Sequence, residues 1–177
     1  MNARSTRSAT VVALALVAAI LMAGCGSSTP TGTPLDVSAT FSGGAATVHM
    51  TGGYSLSYPA SLQRGNRYGA GGDWMSVEYG NVQTGAVTYQ GPATVGTYPT
   101  ARTSTTAVTL ALTVVLPSGS KPSDSFASTN GECAITVTKD LPGSGEATFT
   151  CTNLANTDGS VKIDATGTWD YTVPPAP

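Results

Sequence analysis

The fold is decided by the last alternating stretch of the chain, residues 161–173, which reads Val-Lys-Ile-Asp-Ala-Thr-Gly-Thr-Trp-Asp-Tyr-Thr-Val. Apolar or small residues occupy every odd position, and charged residues or threonines occupy every even position. Because successive side chains of a β-strand point to opposite faces, this period of two predicts a strand with one face buried and one face in water. Gly167 interrupts the apolar series, and there we expect a bend or a bulge.

Two alternating segments before this strand predict a β-hairpin. Residues 133–138 and 147–151 place apolar side chains at every second position, and turn-forming residues 140–143 lie between them. The register that buries both sets opposes Ile135 to Phe149, Val137 to Ala147, and Cys133 to Cys151. Directly opposed residues have Cα atoms about 4.5 Å apart, which is at the short end of what a disulfide accepts. We therefore expect a structural Cys133–Cys151 disulfide, since a redox-active pair usually has the closer Cys-x-x-Cys spacing.

The rest of the chain carries further strand patterns. Residues 108–116 alternate, and shorter segments rich in β-branched and aromatic residues predict strands at 35–41, 46–50, 54–58, 74–79, 82–89 and 94–98. The Gly-rich stretch 59–73 lacks a pattern and is predicted to be a long loop. Together these elements predict an all-β fold, an antiparallel β-sandwich with a partly closed β-barrel as the alternative, in a single domain over residues 35–174.

The first 24 residues have the order of a secretory signal. Arg4 and Arg7 precede twelve apolar residues, Val11–Met22, and the small residues Ala23 and Gly24 then lead to Cys25. As a helix the apolar run would reach only about 18 Å, against a hydrocarbon core of about 30 Å. We therefore predict a helical signal peptide at residues 1–24 rather than a permanent membrane span.

The segment Leu21-Met22-Ala23-Gly24-Cys25 resembles the lipobox of bacterial lipoproteins. The resemblance implies that the thiol of Cys25 receives a diacylglyceryl group, with acyl chains such as palmitate, and that a peptidase cuts before this cysteine. Two acyl chains suffice for stable membrane attachment. An ordinary secretory signal with an accidental cysteine is the alternative, but three cysteines are an odd set in an exported protein, so one needs a fate other than an intramolecular disulfide.

Residues 25–34 follow as a lipidated cysteine and a Ser-, Thr- and Pro-rich tether. Gly26 stands where, in bacteria with two membranes, an aspartate would favour retention at the inner membrane, so the pattern permits delivery to the outer membrane. A bacterium with one membrane would carry the protein on its plasma membrane. We therefore expect an extracytoplasmic, lipid-anchored protein at the cell surface.

The closing region is also similar to small uncharacterised bacterial lipoproteins. The segments that carry this resemblance are Gly-Glu-Cys at 131–133, Phe-Thr-Cys at 149–151 and Gly-Thr-Trp at 167–169. It covers about forty residues and implies a shared fold and surface location, but it carries over no catalytic residue or substrate.

Charge and motifs exclude several functions. Without Arg4 and Arg7, the mature chain carries six cationic residues against ten acidic ones, so it lacks the basic surface with which proteins neutralise nucleic-acid phosphates. His49 is the only histidine and is expected on the solvent face of a strand. The acidic residues stand singly, and we find no nucleophile elbow, zinc motif, phosphate loop or calcium loop. We expect no metal, no cofactor and no enzymatic activity.

One cluster is a candidate binding surface, namely the group Arg64, Arg67, Tyr68, Asp73, Trp74 and Tyr79. Guanidinium groups and aromatic rings beside a Gly-rich loop are suited to stacking on sugars or a planar ligand. The alternative is that Trp74 and Tyr79 pack in the core while the arginines solvate the loop. We therefore expect a membrane-anchored lipoprotein with a structural or protein-interaction role, and a carbohydrate or small-ligand binding module is the alternative function.

Overall fold

β-strands make up most of the chain that the structure describes. The computed structural model describes residues 37–81, 83–103, 107–116 and 123–175. Its strands are β1 (Val37–Thr40), β2 (Ala45–Gly52), β3 (Leu56–Tyr68), β4 (Trp74–Asn81), β5 (Gly85–Pro92), β6 (Gly96–Arg102), β7 (Ala107–Val115), β8 (Ser123–Ser128), β9 (Asn130–Leu141), β10 (Ser144–Ala155) and β11 (Lys162–Thr172), with a 3₁₀ turn at Ala70–Gly72.

The predicted signal peptide, Cys25 and the tether lie outside the described residues. All described residues belong to one compact unit, Gly32–Pro177. Within the described ranges, no helix has the length and apolar character needed to cross a bilayer.

The strands pair antiparallel in two connected sheets, as the sequence pattern predicts for a β-sandwich. Sheet 1 has the order β1-β3-β4-β5-β7-β8, and sheet 2 has the order β3-β2-β11-β10-β9-β6-β7. Two strands belong to both sheets. The first half of β3 pairs with β2 in sheet 2, and its second half pairs with β4 in sheet 1. β7 likewise joins β6 at its start and β5 farther along.

The core lies between the inward faces of the two sheets. Trp169 of β11 is 2% exposed, and its ring centre lies 5.0 Å from that of Tyr89 in sheet 1 and 5.9 Å from that of Phe149 in sheet 2. Phe41 stacks on Tyr171 at 4.0 Å near one end of the core. The Trp169–Tyr89 contact joins the two sheets, and each aromatic pair contributes about 0.5–1.5 kcal/mol beyond the burial of apolar area.

The structure confirms the predicted hairpin of β9 and β10. The opposed pairs are those read from the sequence, namely Ile135–Phe149, Val137–Ala147 and Cys133–Cys151. The cysteines form a disulfide with Cα atoms 4.0 Å apart, and both residues are 1% exposed. The bridge therefore lies in the core at the centre of sheet 2.

The predicted long loop at residues 59–73 is wrong. β3 runs without interruption from Leu56 to Tyr68, and only the short 3₁₀ turn follows it before β4. The sequence shows no clear strand pattern here because the pairing partner of β3 changes midway from β2 to β4. A register irregularity lies between Leu62 and Arg64. A strand that moves from one sheet to the other cannot keep one simple alternation of buried and exposed residues.

At Gly167, where we expected a bend or a bulge, there is no bulge, because the pairing of β10 with β11 runs in step through Thr166, Gly167 and Thr168. A Cβ atom on Gly167 would lie 2.3 Å from the Phe149 ring and 2.3 Å from the carbonyl oxygen of Thr47. The glycine therefore makes room for the Phe149 ring. The irregularity in this strand pair lies between Cys151 and Leu154, where Asn153 has a positive φ of 54°.

Candidate functional site

The outward face of sheet 1 carries a row of neutral polar side chains. Antiparallel pairing sets five residues side by side on five neighbouring strands: Thr40, Asn66, Ser76, Gln90 and Thr109. We call this set the neutral row. All five are at least partly exposed. With strands about 4.8 Å apart, the row extends for about 19 Å.

Trp74 and Tyr68 lie directly beside the neutral row. They oppose each other on β4 and β3, and Trp74 points outward because the alternate residues Met75 and Val77 are buried in the core. The indole is partly exposed, whereas Tyr68 is only 6% exposed. Tyr68 Oη accepts a hydrogen bond of 3.0 Å from Gln90 Nε2 on β5, so the tyrosine side chain reaches across β4. Burial raises the pKa of Tyr68, and this hydrogen bond opposes the rise.

Arg64 lies on the same outward face, on the other side of the neutral row. Its guanidinium pairs with Glu78 across β3 and β4 at 2.6 Å. The Arg64 side chain is 81% exposed, and an ion pair so exposed to water contributes at most about 1 kcal/mol to stability. The pair matters more for charge, because it leaves this part of the face without a net charge.

Arg67 does not join Arg64 on this face. Its guanidinium contacts the carboxylate of Asp140 and donates a hydrogen bond of 2.8 Å to Tyr171 Oη, so it bridges from sheet 1 to residues of sheet 2. The guanidinium carbon also lies 5.8 Å from the centre of the Tyr171 ring. With its side chain only 16% exposed, Arg67 holds the sheets together instead of presenting a cation to a ligand.

Tyr79 is likewise a core residue. It is 0% exposed, and its hydroxyl donates a hydrogen bond of 2.7 Å to the carbonyl oxygen of Asp170 on β11. Burial, assisted by Asp170 and Tyr171, raises its pKa far above the ordinary value. Asp73 is exposed just before β4. Of the candidate cluster, the structure thus brings only Arg64, Tyr68 and Trp74 to one outward face.

The outward face of sheet 2 has a different chemistry. Register sets one row of threonines on five neighbouring strands, which we call the threonine row: Thr97, Thr136, Thr148, Thr168 and Thr47. Hydroxyl groups within it bond to each other, Thr97 to Thr136 at 3.0 Å and Thr47 to Thr168 at 2.9 Å. These hydroxyls therefore partly satisfy their own hydrogen-bonding capacity.

A shallow depression of about 400 Å³ lies along β10 and β11 near one end of this face. Its charged lining residues are Lys139, Glu146 and Asp170, and Lys139 pairs with Glu146 at 2.8 Å. Trp169 and Tyr171 adjoin it, but they are 2% and 1% exposed, which puts their rings in the core. The depression thus has volume without an exposed aromatic surface, so it is a weaker binding candidate than the Trp74 region.

The remaining ionisable groups of the described residues include His49 and Asp124. His49 is exposed on β2, as the alternation predicts, and lies opposite Thr166 and Ser57. Within the described ranges, no group of three or more His, Cys, Asp or Glu side chains is placed to hold a metal ion. The buried carboxylate of Asp124 instead accepts hydrogen bonds of 2.9 Å from Tyr54 and from Asn156, and we assign it a structural role.

Sequence reasoning missed the neutral row beside Trp74. Asn66 and Ser76 stand in segments read as loop or as ordinary strand surface, and Gln90 lies one residue beyond a predicted strand. The only sequence signal was local, because Trp74 and Ser76 are two residues apart and so share a face. The row itself depends on the pairing of five strands, which no single segment of the sequence contains.

Comparisons of the chain with protein-family models, with curated proteins and with solved structures give no match. The functional assignment therefore depends on the residues and geometry of this chain alone.

Proposed function

We propose that this protein is an exported lipoprotein, held to a membrane through Cys25, whose β-sandwich serves a structural or protein-interaction role outside the cytoplasm. The observation that carries the proposal is the buried Cys133–Cys151 disulfide. Disulfides persist in oxidising compartments and are rare in the cytosol. Pairing these two cysteines leaves Cys25 as the one cysteine to be accounted for, and it stands at the end of the lipobox-like segment.

The exposed faces support a role in surface display. The threonine row gives sheet 2 a hydroxyl-rich strip across five strands, which suits weak contacts with other proteins. Such a surface also limits association between neighbouring copies of the anchored domain, because the apolar residues of the domain lie in its core.

Intact mass of the full-length gene product extracted from membranes tests this proposal. We expect a chain that begins at Cys25, carries diacylglyceryl mass and gains two hydrogens on reduction. Cys25→Ala should abolish lipidation and membrane partition, while Cys133→Ala, as a control, should leave both unchanged. A mature chain without lipid, or unchanged membrane partition of the Cys25→Ala variant, would refute the anchor.

A carbohydrate- or small-ligand-binding module is the second candidate function. The observation that favours it is the partly exposed indole of Trp74 beside the neutral row on the outward face of sheet 1. A ligand that has both an apolar face and polar groups can place its apolar face against the indole and form hydrogen bonds with the neutral polar side chains. A screen of the full-length protein on a glycan array, with Trp74→Ala beside the wild type, tests it.

A further inference from the structure

We propose that the outward face of sheet 1 binds a neutral oligosaccharide, which lies along the neutral row with one sugar ring against Trp74. This inference rests on the second candidate function and specifies its ligand class and its site. It commits to an uncharged sugar chain rather than a charged glycan, a planar cofactor or a protein segment.

The charge of the face selects a neutral ligand. In the described strands of sheet 1, the charged side chains that point outward are Arg64 and Glu78, and they neutralise each other at 2.6 Å. Arg67 and Asp124, the other charged side chains of these strands, are taken up by Asp140 and by Tyr54. An anionic glycan would therefore meet no unpaired cation among the described strand residues of this face, whereas hydroxyl groups need none.

The neutral row offers hydrogen-bonding groups that the protein does not itself use. No side-chain hydrogen bond joins Asn66 or Ser76 to another residue in the described part of the chain, and the carbonyl oxygen of the Gln90 amide is similarly unused while its Nε2 donates to Tyr68. Amides and hydroxyls both donate and accept, as sugar hydroxyls do. Binding would then form new hydrogen bonds without breaking existing ones within the protein.

Trp74 supplies the apolar contact that hydroxyl recognition alone lacks. A pyranose ring presents C–H groups on its faces and hydroxyls at its edges, so a ring against the indole directs its hydroxyls toward Ser76 and its neighbours. Trp74 and Ser76 are separated by two residues, or about 6.7 Å, on the same face. Tyr68, which Gln90 holds by a hydrogen bond, lies opposite Trp74 on the neighbouring strand.

Sheet 2 provides an internal contrast. Its threonine hydroxyls are partly bonded to each other, and its outward strand positions carry Lys139, Glu146 and Asp170. No Phe, Trp or Tyr side chain occupies an outward position of the sheet 2 strands as far as the structure describes them. A variant on this face is therefore a matched control for variants on sheet 1.

Native gel electrophoresis through soluble polysaccharides tests the inference on the full-length protein. The neutral probes are dextran, galactomannan, arabinogalactan and hydroxyethylcellulose, and polygalacturonate is the charged comparison. We expect retardation by at least one neutral probe. We also expect about tenfold weaker binding by Trp74→Ala, through loss of the stacked ring, and about threefold weaker binding by Asn66→Ala and Ser76→Ala. Thr148→Ala on the threonine row should bind as the wild type does.

The outcomes separate the site from the function. Retardation that persists unchanged in Trp74→Ala, or that falls equally in Thr148→Ala, would overturn the site while leaving carbohydrate binding in place. Retardation by polygalacturonate alone would overturn the inference but leave carbohydrate binding in place, whereas retardation by none of the five probes would overturn both the inference and carbohydrate binding as the second candidate function. Thermal unfolding verifies that each variant folds. If Trp74→Ala does not fold, two other variants decide. Trp74→Phe should keep binding, since phenylalanine retains an aromatic face, and Asn66→Ala should weaken it. Unchanged binding by Asn66→Ala would then overturn the site.

Discussion

At the scale of single residues, the neighbouring side chains and strands determine which residue a position can hold and which way its side chain points. Gly167 stands in a strand because the Phe149 ring occupies the space that a side chain would fill. Arg64 and Arg67 are three residues apart, yet one faces water and the other bridges the two sheets. Asn153 adopts a positive φ at the irregularity in β10, where its backbone N–H donates to Asp164 at 2.9 Å.

Gly167→Ala should destabilise the protein by about 1–3 kcal/mol or more, because the added methyl must displace the Phe149 ring or the backbone of β2. Urea unfolding measures the change. Gly143→Ala is the control, since an added Cβ there meets nothing within 4 Å, and we expect it to alter stability by less than about 0.5 kcal/mol. Equal stabilities for the two variants would contradict the packing role of Gly167.

Arg67→Ala should cost about 2 kcal/mol or more, because it leaves Asp140 without its cation and Tyr171 without its donor in a largely buried setting. Arg64→Ala, the matched change on the exposed face, should cost less than about 1 kcal/mol. A denaturant series on both variants compares these values. A ligand-binding role for Arg67 would predict the reverse, namely normal stability with lost binding.

At the scale of elements, the sequence predicts those strands whose alternation lasts from end to end. The β9–β10 hairpin and β11 keep one face buried throughout, so even their register follows from the positions of Cys133, Ile135 and Phe149. β3 was missed because it contributes to two sheets and receives three different partners along 13 residues. A strand of this kind is defined by its neighbours, which the local sequence does not contain.

Reduction of the Cys133–Cys151 bridge should lower the free energy of unfolding by about 3 kcal/mol, as expected for a closed loop of this size. Because β9 and β10 retain their apolar pairs, we expect the reduced protein to remain folded with a lower denaturant midpoint. Guanidinium unfolding with and without reductant measures this. Cys25→Ala is the control and should respond to reductant as the wild type does.

At the scale of the whole molecule, the all-β class and the sandwich were predictable from the period-two patterns, whereas the assignment of strands to sheets was not. The candidate site shows the same limit. Trp74 could be selected from the sequence, but its neighbours Asn66, Ser76 and Gln90 are brought beside it only by pairing of β3, β4 and β5. Tyr79, selected with it, proved to be a core residue because its strand turns alternate side chains inward.

The buried tyrosines make the stability of the folded protein fall at alkaline pH. Burial raises the pKa of Tyr58, Tyr79 and Tyr89 well above the ordinary 10.0. The folded state thus keeps these phenols protonated while the unfolded state ionises, so their contribution is complete below pH about 10 and is lost as pH rises above it. Thermal unfolding between pH 8 and 12 should show a falling melting temperature above pH 10. Tyr89→Phe should make the decline less steep, and an unchanged slope would contradict this origin.

The shared strands β3 and β7 affect how readily the protein can aggregate when many copies lie close together. They join the sheets on both sides, so among the described strands only β1 and β8 have a single neighbour along their whole length. These two are short, with four and six residues, and the backbone of residues 156–157 already bonds to part of β8. Exposed strand edges are the places where β-proteins add to one another and aggregate. Many copies crowded together would therefore offer each other only short stretches of unpaired strand edge from which fibres could extend.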